Sequence, residues 1–162
     1  MAGGLRVALP TAADTHALGR GLAGLLLPGD LVILAGPLGA GKTVLAQGVG
    51  AGLMVTGPVT SPTFVLARVH RGGRLPLVHV DAYRLGSVAE IDDLDLDASL
   101  DDSVTLVEWG SGLVERLVDA HLVVRLDRAS GAADGDERTA ELVPVGGTWA
   151  ARLARLAVPT ST

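Results

Sequence analysis

The sequence has no cysteine and no asparagine, a single lysine, Lys42, and only four aromatic residues, Phe64, Tyr83, Trp109 and Trp149. Without cysteine there is no disulfide, no thiolate zinc site and no thiol nucleophile. Without asparagine and a second lysine, the Asn-Lys-x-Asp guanine reader of regulatory GTPases cannot be built. Long apolar runs are missing too. The most apolar stretch, residues 22–34, is broken by Pro28, Gly29 and Asp30 and falls short of the ~20 residues a membrane span needs. The first ten residues carry one arginine and no apolar segment of signal-peptide length, so a cytoplasmic protein is expected. A net charge of -5 gives no basic footprint of the kind free-standing nucleic-acid binding requires.

What is present is one domain's worth of chain, 162 residues, with residues 158–162 read as a frayed tail. A domain of this size buries about 70% of its unfolded surface and folds without staples. Apolar runs predict strands over residues 5–9, 31–35, 64–69, 75–80, 104–107, 122–126 and 139–145. The third and fourth of these runs flank Arg71-Gly72-Gly73, a hairpin signal around residues 64–80. Helices are predicted over residues 12–27, capped by Thr11, and over 42–54, 110–118 and 149–156. Residues 56–62, with two prolines, read as a loop, and the aspartate-rich residues 86–102 as a solvated face. Strands alternating with helices predict an α/β fold with a mostly parallel central sheet flanked by helices.

The decisive local feature is Gly36-Pro37-Leu38-Gly39-Ala40-Gly41-Lys42-Thr43. It matches G-x-x-x-x-G-K-[ST] and lies between a buried strand and a helix, the context that pattern requires. Chance yields about 0.002 such matches in a chain of this composition, so the P-loop NTPase type of α/β fold is expected. Its glycines let successive N–H groups turn toward phosphate oxygens, and the following helix N-terminus adds its dipole. Lys42 is placed to reach the β- and γ-phosphates, and the Thr43 hydroxyl to ligate Mg²⁺. An acidic residue at a neighbouring strand end completes such a site. Two candidates follow apolar runs: Asp81 after Leu77-Val78-His79-Val80, and Glu108 after Val104-Thr105-Leu106-Val107. The four histidines show no metal-ligand spacing, and His79 reads first as a packed strand residue. A transporter-type ATPase would need its signature loop and a longer chain. A small-molecule kinase fits the length, with Asp81 or Arg84 facing an acceptor, although no arginine-rich lid segment follows a second helix.

Thr60-Ser61-Pro62-Thr63-Phe64, His79-Val80-Asp81-Ala82-Tyr83-Arg84 and Val107-Glu108-Trp109 follow the phosphate loop in that order. Together they resemble the bacterial TsaE (YjeE) family, and the resemblance runs from about Leu9 to Trp109. It implies an ATP- and Mg²⁺-dependent ATPase that assists threonylcarbamoyl-adenosine modification of tRNA. It also implies two partner proteins, TsaB-like and TsaD-like, the latter carrying the transfer chemistry, with tRNA met only through the complex. By position, Thr43 and Glu108 would be the metal ligands, with Lys42, Asp81 and Glu108 serving the hydrolysis and Asp81 near the γ-phosphate. Nucleotide contacts are implied at Gly36, Pro37, Leu38, Gly39, Ala40, Gly41, Lys42, Thr43 and Val44, at Ala12 and at Arg138. Ser61 to Phe64 would sense the nucleotide, and Trp109 would lie beside it. Pro37 stands where the family commonly has an acidic residue. A nucleotide-gated binding module with incidental hydrolysis is the alternative of a different class.

Overall fold

The computed structural model describes residues 4–37, 41–55, 67–81, 102–108, 120–128 and 137–156. Residues 38–40 of the loop, the segments 56–66 and 82–101, the expected helix 110–118 and the tail lie outside them, as do Phe64, Tyr83, Arg84 and Trp109. Seven strands form one sheet: β1 (Leu5–Leu9), β2 (Leu31–Ala35), β3 (Ala67–His70), β4 (Leu77–Asp81), β5 (Val104–Glu108), β6 (His121–Arg128) and β7 (Arg138–Val145). Helices α1 (Ala12–Ala23), α2 (Lys42–Leu53) and α3 (Trp149–Leu153) accompany it. The strand order is β1-β7-β6-β2-β5-β4-β3.

The four central strands, β6-β2-β5-β4, are parallel. The outer pairings are antiparallel, β3 on β4 at one edge and β6 on β7 on β1 at the other. The sheet is therefore mixed rather than mostly parallel. The reason lies in the connections: a parallel crossover needs a dozen or more residues. Only residues 71–76 separate β3 from β4, and only residues 129–137 separate β6 from β7. The central strands are buried on both faces, which is why β2 and β5 read as unbroken apolar runs. One face carries Val32, Leu34, Leu106 and Val124 into a core shared with Leu18 and Leu22 of α1 and Leu45 and Val49 of α2. Ile33, Val80 and Val107 are buried on the opposite face.

Helix α1 stops at Ala23 instead of continuing to residue 27, with Gly24 at its C-cap. The carbonyls beyond that point are claimed by side chains from elsewhere. Arg74 donates to Ala23 O (2.5 Å) and Leu26 O (3.2 Å), and Arg152 to Leu25 O (3.0 Å). At the other end Thr11 does cap the helix. Its hydroxyl accepts from the Asp14 N–H while the Asp14 carboxylate accepts from the Thr11 N–H, a reciprocal capping box.

Helices α1 and α2 pack backbone to backbone. A Cβ added at Gly48 would fall on the carbonyl oxygen of His16, and one at Gly19 on the carbonyl oxygen of Leu45. Helix propensity alone would make Gly48→Ala stabilising by up to about 1 kcal/mol. Because the obstructing atom is backbone, the substitution is expected instead to destabilise by about 1–3 kcal/mol, the usual cost of overpacking. Urea unfolding measures the sign, and a gain in stability would contradict this packing.

Candidate functional site

The carboxyl ends of β1, β6, β2, β5 and β4 all reach the same edge of the sheet, where ligands of open α/β sheets bind. The segment after β2 bends sharply there. Gly36 has φ 144°, and Gly41, the N-cap of α2, has φ 100°, a left-handed conformation that side chains disfavour. Among the described residues no side chain caps α2, whereas the start of α1 is closed by its own capping box. The first-turn N–H groups and positive dipole end of α2 thus face the edge without a side-chain oxygen on them.

Lys42 opens α2 and is buried, 7% exposed. Its Nζ donates to Gly36 O at 2.6 Å, with Pro37 O at 3.4 Å, so the ammonium is held against the loop that precedes it. Thr43 follows, half-buried, with Val44 beside it. Glu108 ends β5, 4% exposed, and pairs in register with Leu34 of β2 and Asp81 of β4. The sequence-separated acids Asp81 and Glu108 are therefore neighbours on adjacent strands, Glu108 on the strand beside β2 and Asp81 on the next one out. His79 stands two pairs earlier, opposite Leu106, with Nε2 3.7 Å from Glu108 Oε1.

The other expected contacts come to the same edge. Arg138 is the first residue of β7, in register with Leu9 at the end of β1, and Ala12 opens α1 just beyond. Arg138 Nη1 donates to Glu137 O at 3.0 Å. Leu38, Gly39, Ala40, the segment 61–64 and Trp109 lie outside the described residues. Two residues that sequence reasoning gave no role sit against the site. Thr15 of α1, buried, has Cγ2 3.5 Å from where a Gly41 Cβ would be. His79 faces Glu108, a relation carried only by strand register.

A lysine ammonium and an uncapped helix N-terminus fit a phosphate group. One hydroxyl and one buried carboxylate, with no sulfur or imidazole cluster, fit a hard, oxygen-loving cation. Among the described residues no group of three or more His, Asp or Glu side chains is poised to hold a metal alone. Mg²⁺ is usually held by one or two carboxylates plus substrate phosphates and waters. Among the described residues, no helix is long and apolar enough to cross a membrane.

The model of the family described as "Threonylcarbamoyl adenosine biosynthesis protein TsaE" matches residues 9–139. A curated relative from Streptomyces coelicolor, "tRNA threonylcarbamoyladenosine biosynthesis protein TsaE", is 57% identical over 136 residues, covering 82% of this chain and 92% of that one. A protein of the same name from Mycobacterium tuberculosis is 52% identical over 139 residues, covering 80% and 83%. The crystal structure of YdiB from Bacillus subtilis superposes with a TM-score of 0.78 at 30% identity, covering 96% of this chain and 95% of that one.

Proposed function

The chain belongs to the TsaE family, involved in tRNA threonylcarbamoyladenosine biosynthesis, and from that premise and the site's geometry we propose that it is the Mg²⁺-dependent ATPase component of the modifying machinery. The observation that carries this reading is the buried Lys42 at the head of an uncapped helix, with Glu108 and Asp81 in register at the ends of adjacent strands. In this reading the Lys42 ammonium shifts from Gly36 O to the β- and γ-phosphate oxygens and offsets charge that grows on them. Thr43 and Glu108 would hold Mg²⁺, which would supply positive charge to offset that of the phosphates. Asp81 orients or deprotonates the attacking water. Ala12 and Arg138 flank the nucleotide on the β1–β7 side, and Gly41 lets the backbone approach the phosphates.

The chain is not itself the threonylcarbamoyl transferase in this proposal. It acts with TsaB-like and TsaD-like partners in the cytoplasm, and its net charge of -5 leaves tRNA contact to the complex. Hydrolysis by the isolated protein is expected to be slow. Fast phosphate-loop hydrolysis adds a positioned arginine, which supplied in trans contributes about 10³–10⁵ in rate. Steady-state phosphate release is measured for the protein alone and with both partners at saturation. Acceleration of at least about tenfold supports the proposal. Fast release that the partners leave unaltered overturns it in favour of an autonomous ATPase, and phosphoryl transfer to a small acceptor overturns it in favour of a kinase.

A further inference from the structure

His79 is fully buried, and among the described residues neither of its ring nitrogens has a hydrogen-bond partner. Buried polar groups without partners are rare and call for a reason. Around it on the same face of the sheet are Leu77 and Leu106, both fully buried, where an aliphatic side chain would pack without penalty. Among the described residues, the charged side chain facing it is Glu108, also buried, with Oε1 3.7 Å from Nε2. The pleat explains the approach. His79 pairs with Leu106, and Glu108 lies two residues further along β5, so the two side chains are diagonal neighbours on one face. Closing 3.7 Å to a hydrogen bond takes a movement of about half an ångström.

We propose that His79 is a positioning residue for Glu108: its imidazole donates through Nε2–H to the buried carboxylate and fixes the orientation in which Glu108 meets the metal–nucleotide. The inference rests on the reading of Glu108 as a metal ligand and adds the group that aims it. Ligating carboxylates are commonly themselves hydrogen-bonded, and losing that partner lowers metal affinity by roughly 10- to 100-fold. The Nε2–H tautomer puts the donor opposite the carboxylate and leaves Nδ1 a bare acceptor.

The test is the Mg²⁺ dependence of binding of a fluorescent ATP analogue, with binding in EDTA as the metal-free reference. Glu108→Gln is expected to raise the half-saturating Mg²⁺ at least about tenfold while leaving metal-free binding unchanged. His79→Leu is expected to do the same, His79→Gln, which keeps a donor, to stay within about threefold of the unmodified protein, and the double variant His79→Leu/Glu108→Gln to be no worse than Glu108→Gln alone. A folded His79→Leu protein with unaltered Mg²⁺ dependence overturns the role of His79. So does an effect that adds in full to that of Glu108→Gln. If Glu108→Gln itself leaves the Mg²⁺ dependence unaltered, the metal site is overturned and the role of His79 with it. Should His79→Leu not fold, nitrogen NMR of the unmodified protein with Mg²⁺-ATP decides: an Nε2–H tautomer at His79 supports the assignment, and an Nδ1–H tautomer overturns it.

Discussion

Replacing Lys42 with alanine is expected to weaken ATP binding at least tenfold, about 1.4 kcal/mol, and to reduce phosphate release further still. Lys42 is the only lysine of the chain, and it is buried at the point where β2 gives way to α2. Hydrogen bonds to charged groups contribute about 1.5–3 kcal/mol, more than neutral ones. Part of that is already spent in the free protein on Gly36 O, 2.6 Å away, so the affinity loss sits near the lower end. The loss in turnover is larger because charge on the phosphate oxygens is redistributed during transfer, and Lys42 faces it. The pattern across nucleotides is as informative as the size. ATP and ADP should lose affinity and AMP should lose little, since the ammonium is aimed at the outer phosphates. Calorimetry with all three checks this, and an unchanged ATP affinity would falsify the phosphate-loop assignment.

The phosphate loop was legible in the sequence because its chemistry is local: glycines, lysine and threonine within eight positions between a strand and a helix. The strand-end acids were legible as candidates, since apolar runs ending in Asp81 and Glu108 are visible in one dimension. That the two stand side by side is a matter of register between strands far apart in sequence, which no single run displays. The same limit hid the partnership of His79, whose neighbour Glu108 lies 29 positions away by number. The antiparallel edges were missed for a related reason. An alternating strand such as β7 carries a face but no direction, and its pairing with β1 spans most of the chain. The end of α1 was misplaced because Leu25, Leu26 and Leu27 continue the helical pattern, while the arginines that take the carbonyls of Leu25 and Leu26 come from positions 152 and 74.

Arg152→Ala should lower the stability of the fold by about 3 kcal/mol, the low end of what removing one partner of a buried ion pair costs. Arg152 holds Asp30 through two bonds, Nη1 to Oδ2 at 2.6 Å and Nη2 to Oδ1 at 3.0 Å, and both side chains are nearly buried. The guanidinium also stacks 3.9 Å above the Trp149 ring and donates to Leu25 O. Alanine would leave the Asp30 carboxylate desolvated, with the Leu27 N–H at 2.6 Å as its remaining short contact among those described. In a chain of this size a 3 kcal/mol loss lowers the melting temperature by roughly 6–12 °C. ATP affinity of the protein that remains folded should not change, because Asp30 precedes β2 and lies at the edge opposite the phosphate loop. The double variant Asp30→Ala/Arg152→Met should recover much of the loss, since apolar replacement of a whole buried pair is often neutral. A melting temperature of Arg152→Ala within about 2 °C of the unmodified protein would show that the pair contributes little.

The glycine seam between α1 and α2 has a mechanical consequence. Side-chain interfaces yield by rotamer changes, but at Gly19 and Gly48 backbone meets backbone, and there is no rotamer to change. The two helices therefore form one rigid block. Ala12 opens one helix and Lys42 the other, so these two corners of the candidate site are carried on the same block and keep a fixed spacing. Under the proposed function the block would act as an anvil against which a bound nucleotide presses. If the site hydrolyses ATP as proposed, any displacement that accompanies loss of the γ-phosphate would have to be taken up on the opposite wall, where β4 and β5 end in Asp81 and Glu108.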